Sequence, residues 1–297
     1  MTAIPPAGGV LLVDKPVGPT SHDIVARVRK ALGERRVGHT GTLDPFASGL
    51  LVLCVGPATR LVQYLVGADK EYVARARLGV QTETDDREGA VTGTDDAWRG
   101  VDQESIQGAL EAFRGEILQR PPAYSAKKVG GEAAHRRARR GEAVELEPVP
   151  VTVHDVALIE LSLPDVVFRV GCSSGTYVRA LARDLGEALG TGAHLTELRR
   201  TRVGGWSVED ALDGDLTEGI PTDAWIAPLD ALADWPRVAL EDDEAKRLVH
   251  GQRLRLEGLR DGPAVAHWQG NLLAVCDAED GVLRPRRVFP PPEEAGP

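Results

Sequence analysis

The sequence predicts an α+β protein that ends in a small β domain. Strand-like and helix-like segments mix along the chain without the regular βαβ repeat of a doubly wound sheet. Short apolar segments of strand character follow the acidic stretch at 207–244, as in a small all-β module. The 297 residues are enough for about two domains. We therefore expect a large domain at 1–232 and a small one at 233–297.

The first predicted elements are a buried strand, an amphipathic helix and a second buried strand. Gly9–Val13 is apolar and runs into a polar Asp-Lys-Pro sequence, which indicates a strand leaving the core. Ser21 and Asp23 are suited to cap the following helix, because their side chains accept hydrogen bonds from its first N–H groups. Leu50–Val55 reads as the second strand, and Pro57 begins a further helix. The apolar face of the first helix consists of Ile24, Val25, Val28, Ala31 and Leu32.

The middle of the chain combines a half-exposed strand, a polar insertion and further helices. Alternation over Tyr72–Leu78 indicates a strand with Arg75 and Arg77 on its open face. Residues 81–104 are polar and acidic and read as an inserted loop. The other predicted elements are a helix around Ile106, Leu110 and Phe113, strands at 151–161 and 166–172, helices at 176–189 and 241–250, and strands at 253–257, 263–268, 272–276 and 282–289.

The net charge of the whole chain argues against a nucleic-acid partner, but the distribution of charge along the sequence does not. The chain carries 35 Lys and Arg against 45 Asp and Glu, a net charge of −10. Residues 207–244 hold 12 acidic residues and one arginine, and residues 81–104 hold eight and two, so the rest carries +7. Basic clusters at 27–36, 126–141 and 199–202 suit a phosphate backbone. We expect both acidic segments to face away from such a partner.

Cysteine usage and hydropathy exclude several classes of protein. Cys54, Cys172 and Cys276 lie far apart, which argues against a disulfide scaffold and a zinc cage. The first residues lack the basic and apolar regions of a signal peptide. The longest apolar run, at 50–55, is far shorter than the roughly 20 residues that cross a bilayer. We expect a cytoplasmic protein with no membrane partner.

Nucleotide-binding and metal-binding motifs are absent from the sequence, but one hydrolase-like pattern is present. There is no GxGxxG, P-loop, HExxH or EF-hand spacing. Gly171–Gly175 matches the GxSxG pattern of a nucleophile elbow around Ser173. A hydrolase would then use His194, His250 or His267, none of which lies in a persuasive loop. We favour the alternative, a tight turn that caps the next helix.

An acid and an arginine are better candidates for chemistry. Asp44 lies in a Gly-Thr-Leu-Asp-Pro sequence, where Pro45 restricts its backbone and pre-positions the carboxylate. Arg179, near the start of a helix and four residues before Arg183, would keep such a carboxylate ionised as a bidentate partner. The alternatives are an ordinary Asp-Pro turn and a surface arginine.

Three planar side chains are candidates for stacking on a nucleic-acid base. They are His39, Tyr72 and Tyr177, in a chain whose aromatic content is only 4%. The two tyrosines could equally belong to the core.

Five motifs occur in order between residues 9 and 205. They are DKPVGPTS at 14–21, RVGHTGTLDPFASG at 36–49, KEY at 70–72, PPAYSAK at 121–127 and CSSGTYVR at 172–179. Together they resemble the TruB family of tRNA pseudouridine synthases, which modify the uridine of the TΨC loop. The resemblance implies a catalytic domain with a mixed, mainly antiparallel sheet flanked by helices. Its weaker C-terminal part implies a PUA-like RNA-binding domain.

The resemblance also implies roles for individual residues. Asp44 matches the essential aspartate, which attacks the ribose or removes its 2′ proton, and Arg179 matches the arginine that pairs with it. Tyr72 matches the tyrosine that stacks on the target base. The other residues expected to bind the substrate are His39, Tyr177, Leu198, Lys15 and Lys127.

An isomerase of this kind requires no metal or other cofactor. The resemblance implies tRNA as the partner, bound through its T-arm and T-loop, with uridine 55 as the target. We expect the protein to be a monomer. His135 stands where family members often have an aromatic residue, so the RNA contacts around 131–141 stay open. The alternative from another class is a non-catalytic RNA-binding or RNA-folding protein on the same scaffold, which would not need Asp44.

Overall fold

The computed structural model describes residues 3–125, 127–129, 132–134, 137, 140, 142 and 146–289. The α-helices in this part are α1 (Ser21–Leu32), α2 (Val62–Leu65), α3 (Gln103–Glu111), α4 (Val178–Ala188) and α5 (Asp242–Val249). The strands are β1 (Gly9–Lys15), β2 (Val37–His39), β3 (Ser48–Val55), β4 (Lys70–Leu78), β5 (Val80–Thr82), β6 (Val91–Thr94), β7 (Gly115–Gln119), β8 (Lys128–Val129), β9 (Glu132–Ala133), β10 (Val149–Ser162), β11 (Asp165–Cys172), β12 (Ala193–Val203), β13 (Trp206–Ser207), β14 (Leu212–Asp213), β15 (Arg237–Ala239), β16 (Leu254–Arg255), β17 (Gly262–Trp268), β18 (Asn271–Glu279) and β19 (Val282–Val288).

A ten-stranded sheet forms the frame of the described chain. Its main path runs β14-β1-β3-β12-β4-β11-β10-β7, with β2 added on β3 and β13 on β12. The β1–β14 and β3–β12 pairs are parallel, whereas the other pairs in this sheet are antiparallel. A second, five-stranded sheet has the order β15-β17-β18-β19-β16. The predicted α+β class, with a mainly antiparallel mixed sheet and a C-terminal β domain, is confirmed.

Three apolar clusters cover the two faces of the large sheet. Helices α3 and α4 pack on β4, β10, β11 and β12, with Ile106 and Leu181 in that core. Helix α1 covers one face of β1 and β3. On the opposite face of these two strands, Val265 and Val275 of the second sheet pack with Val10. The side chains on both faces of β1 and β3 are therefore buried. On β4, in contrast, Arg77 is exposed, as predicted.

Two predicted features differ in detail. The cap of α1 is Thr20, whose hydroxyl accepts from the Asp23 N–H while the Asp23 carboxylate accepts from the Thr20 N–H. Ser21 is buried instead, and its hydroxyl donates to the Leu43 carbonyl. The acidic segment 81–104 is also no simple loop, because it contains the β5–β6 hairpin and the first turn of α3.

The close approach of β3 and β12 depends on Gly49. Its φ is +106°, and a Cβ built there would lie 2.7 Å from the Arg200 amide nitrogen. Gly18 has a similar φ of +110°, but a Cβ there meets nothing within 4 Å. An alanine at either position would therefore be strained in its backbone, but only an alanine at Gly49 would also collide with a neighbour.

We expect Gly49→Ala to destabilise the protein more than Gly18→Ala. Both substitutions place alanine in a strained conformation, at about 1–3 kcal/mol. Gly49→Ala adds an overpacking penalty of about 1–3 kcal/mol, because the neighbour is backbone and cannot rotate away. Urea denaturation of both variants measures the difference. Equal midpoints would contradict the assignment of the β3–β12 contact to Gly49.

Candidate active site

A cavity of about 810 Å3 opens beside the loop that joins β2 to β3. Its wall comes from the start of α1, this loop, β4, the β5–β6 turn, residues 124–125, residues 173–179 and β12. The volume lies within the roughly 300–1,000 Å3 of small-molecule sites. All five sequence motifs contribute to this wall.

Asp44 lies in the β2–β3 loop, and its side chain is 37% exposed. The Ser21 hydroxyl donates to the Leu43 carbonyl at 3.0 Å and accepts from the Leu43 N–H at 2.8 Å. The Ala47 N–H donates to the Asp44 carbonyl at 3.1 Å, so the expected Asp-Pro turn is present. The backbone on both sides of the Asp44 side chain is therefore held by hydrogen bonds. The turn and the catalytic interpretation are compatible, because the turn presents the carboxylate to the cavity.

The guanidinium of Arg179 is buried and shared among four acceptors. Its Nε lies 3.0 Å from Asp44 Oδ2. Its Nη1 donates to Asp86 Oδ2 at 3.2 Å and to the Thr84 carbonyl at 2.9 Å. Its Nη2 donates to the Tyr124 carbonyl at 3.0 Å. The surface-arginine alternative is wrong, and so is a bidentate pair with Asp44, since the other nitrogens are engaged elsewhere.

Asp86 corrects the prediction that the acidic segment 81–104 faces away from the site. Thr84, Asp86 and Glu88 of this segment line the cavity. The physical reason is the pair of arginines one turn apart on α4. Arg179 binds Asp86, and Arg183 Nη1 donates to Asp85 Oδ2 at 3.1 Å. In the described chain the second acidic segment, 207–244, contributes no residue to the cavity wall.

The electrostatic surroundings of Asp44 act in opposite directions. Burial of the carboxyl raises the pKa of Asp44 above its usual value, and the nearby Asp86 charge adds to this effect. The Arg179 and Lys15 charges lower the pKa of Asp44 but do not cancel the effect of burial. Asp44 is therefore a more basic carboxylate than an exposed aspartate.

Three of the predicted binding residues line the cavity with Asp44: Tyr72, Tyr177 and Leu198. Tyr72 projects from β4, is 8% exposed and also belongs to the apolar core, so both interpretations of this residue hold. Burial raises the pKa of Tyr72, which keeps the phenol neutral. Arg200, from the predicted basic cluster 199–202, also lines the cavity; it lies opposite Tyr72 on β12 and donates to the Leu50 carbonyl at 2.7 Å.

Three other predicted binding residues lie outside the cavity wall. Lys15 is fully buried and donates to the Pro16 and Pro19 carbonyls at 2.9 and 2.8 Å, so it holds the loop rather than contacting the cavity. Burial lowers the pKa of Lys15 to about 8. Lys127 is half-buried and is not part of the wall.

His39 lies behind the cavity wall. Its Nδ1 accepts from the Gly41 N–H at 3.3 Å. Its ring makes an edge contact with His22 at 5.7 Å, and His22 is the histidine that lines the cavity. His135 lies outside the described residues.

The hydrolase hypothesis fails on the geometry of Ser173. Its hydroxyl accepts from the Thr152 N–H at 2.9 Å. His194 is buried and its Nδ1 lies 2.9 Å from the Val80 carbonyl, while His250 and His267 belong to the C-terminal region. The favoured turn is present, with Thr176 Oγ1 donating to the Ser173 carbonyl at 2.9 Å. It does not cap α4, since the helix cap is Tyr177, which makes no side-chain cap bond.

Neither a metal cluster nor a membrane helix is found in the part of the chain that the structure describes. No group of three or more His, Cys, Asp or Glu side chains there is placed to hold a metal ion. None of the helices in the same residues has the length and apolarity needed to cross a membrane.

The fold is similar to that of a chain solved in an RNA–protein complex. It is similar, with a TM-score of 0.73 and 28% identity, to a chain in the structure of an H/ACA RNP bound to a substrate RNA containing 2′-deoxyuridine. The match covers 98% of this chain and 91% of the other.

The chain belongs to the TruB family. The model of the N-terminal domain of TruB family pseudouridylate synthases matches residues 29–178. Models of the tRNA pseudouridylate synthase B C-terminal domain and the tRNA pseudouridine synthase II C-terminal domain match 179–217 and 235–290. The tRNA pseudouridine synthase B of Burkholderia mallei is 48% identical over 94% of this chain and 96% of its own length. That of Thermobifida fusca is 46% identical over 95% and 99%.

Asp86→Asn should lower the pKa of Asp44. The substitution removes a negative charge that disfavours ionisation of Asp44 and frees Arg179 for that carboxylate. A carbon-13 NMR titration of the aspartate carboxyl carbons measures the shift. Asp215→Asn serves as the control, since Asp215 is 60% exposed and pairs with Arg27. An unchanged or raised pKa of Asp44 in Asp86→Asn would rule out this electrostatic coupling.

Proposed function

We propose that this protein is a tRNA pseudouridine synthase and that its target is uridine 55 in the T loop. The observation that carries the proposal is the contact of Asp44 with the buried Arg179 in a cavity lined by Tyr72. The names of the two bacterial relatives support tRNA as the substrate. The cavity also suits a base taken out of the RNA stack, because extruded bases bind in shaped pockets between aromatic and apolar side chains.

The proposed reaction is an exchange of one glycosidic bond for another. Asp44 attacks C1′ or removes the 2′ proton, and the bond from C1′ to N1 of uracil breaks. The freed uracil rotates while stacked on Tyr72, and C5 bonds to C1′. On the first route this bond displaces the Asp44 carboxylate from C1′, and on the second route Asp44 returns the proton to C2′. The proton at C5 leaves to solvent and N1 ends protonated, so the atoms balance without a cosubstrate. Tyr177 and Leu198 close the cavity around the base.

Arg179 holds the reacting carboxylate in one orientation. Its Nε contact fixes Asp44 Oδ2, and three further N–H groups donate to Asp86 and two carbonyls. A guanidinium that is held by four contacts before the substrate arrives needs little reorganisation during the reaction. The non-catalytic alternative gives no reason to aim a carboxylate with a raised pKa at an open cavity.

We further propose that the T-arm binds along the basic segments, with residues 126–141 and His39 at the T loop. The C-terminal domain, 233–297, would extend this surface as a PUA-like module next to the catalytic domain, 1–232. The start of β15 at Arg237 and the family match at 235–290 support this division. A monomeric state and a cytoplasmic location stay predictions.

Asp44→Asn should abolish isomerisation without preventing tRNA binding. The amide is isosteric, but it is neither a nucleophile nor a base, so a loss of roughly 10⁴-fold or more is expected. The assay measures release of tritium from unmodified tRNA labelled at uridine C5. Substantial release by the variant, or none by the wild type, would sink the assignment.

Two controls accompany this assay. Ser173→Ala should leave turnover nearly intact, because the Ser173 hydroxyl, although in the cavity wall, accepts from the Thr152 N–H and bonds neither Asp44 nor Arg179 in the described part of the chain. A transcript whose uridine 55 is replaced by cytidine, with tritium at its other uridines, should release no tritium. Release from that transcript would refute the assignment to position 55.

The rate should fall as the pH is lowered through the raised pKa of Asp44. Only the carboxylate reacts, and burial raises its pKa in the folded protein, so the acid limb lies above the value of about 3.9 for a free aspartate. Single-turnover tritium release at a series of pH values measures this limb, with tRNA binding checked at each pH. A rate that stays level down to the ordinary aspartate pKa would contradict the role of Asp44.

A further inference from the structure

The side-chain amide of Gln119 forms two hydrogen bonds with the backbone of one residue in the cavity wall. Gln119 ends β7 and is 0% exposed. Its Oε1 accepts from the Tyr177 N–H at 2.8 Å, and its Nε2 donates to the Tyr177 carbonyl at 3.1 Å. A buried amide is satisfied only when both of its ends are bonded, and this one binds the donor and the acceptor of the same residue.

The residue that Gln119 holds stands at the start of α4. Tyr177 is the N-cap of this helix and makes no side-chain cap hydrogen bond. Its carbonyl already accepts from the Leu181 N–H, the first bond of the helix. Helix ends have unpaired backbone groups that need a partner, and here the partner comes from a distant strand. Gln119 therefore satisfies the backbone of the residue at which α4 begins.

The segment that follows Gln119 is attached to the same helix at two more points. The Arg120 carbonyl accepts from Arg183 Nη2 at 3.0 Å. The Tyr124 carbonyl accepts from Arg179 Nη2 at 3.0 Å. The chain then enters the basic stretch 126–141. The first turns of α4 and the start of this basic stretch thus share one set of hydrogen bonds.

We propose that Gln119 is a positioning residue for the reaction: it sets Tyr177 against the base and Arg179 against Asp44 without touching either the substrate or the reacting atoms. This rests on the proposed isomerase function. Tyr177 lines the cavity, and Arg179 follows it by two residues. A shift of α4 by about 1 Å would move both groups together, and a misplacement of that size costs roughly 100-fold in rate.

Gln119→Glu tests the proposal because its hydrogen-bonding pattern depends on pH. A protonated carboxyl reproduces both bonds of the amide, whereas a carboxylate cannot donate to the Tyr177 carbonyl and repels it. Burial raises the pKa of such a carboxyl. We expect the ratio of variant to wild-type single-turnover rate to fall as the pH rises, by up to roughly 100-fold. The affinity for tRNA should stay within about twofold, and Gln119→Leu should be slow at every pH.

The matched control is Gln107→Glu, an exposed position on α3 that should behave as the wild type. A pH-independent rate ratio for Gln119→Glu, or a loss confined to tRNA affinity, would overturn the role of Gln119. Circular dichroism at each pH checks that the variants and the wild type are folded, so that only rates of folded protein are compared. If Gln119→Leu fails to fold, the pH dependence of Gln119→Glu decides the question by itself. Failure of the wild type to release tritium would instead refute the proposed function.

Discussion

The buried guanidinium of Arg179 is the interaction on which the site depends. A charge inside a protein is costly unless it is paired and hydrogen-bonded, since an unpaired one costs several kcal/mol. Here its partners come from the β2–β3 loop, the β5–β6 turn and the segment before the basic stretch. Three segments that are distant in sequence must therefore converge on the first turn of α4 before the charge is satisfied. Assembly of the site therefore requires the tertiary fold.

The same arrangement sets the chemical character of Asp44. Asp44 and Asp86 share the guanidinium of Arg179, so neither carboxylate is fully neutralised by it. Lys15 supplies a second positive charge near Asp44. The effect of burial prevails, and the pKa of Asp44 rises. An aspartate held in this way combines a fixed position with increased basicity. A bidentate pair would have fixed the position but weakened the base.

Local patterns in the sequence were sufficient for most elements and for placing Asp44 on a restrained turn, but not for the residues that surround Asp44. Alternation and helical spacing depend on which face is buried, so β4, β11 and α4 could be predicted from the chain alone. Asp86 could not, because its pairing with Arg179 spans 93 residues and is a property of the fold. The neighbouring Asp85 and the spacing of Arg179 and Arg183 were the only local signal. Lys15 is the opposite case, because its motif was recognised but its contacts were not. A motif does not reveal whether a lysine binds a ligand or, as here, backbone carbonyls of its own chain.

The packing of the second sheet on the first has a mechanical consequence. Val265, Val275 and Phe289 share a core with Val10 and Leu12 of β1, so a rotation between the sheets would expose apolar surface at about 25 cal/mol per Å2. The shared core therefore couples the small sheet to β1, the strand that ends at Lys15 and leads toward Thr20 in the cavity wall.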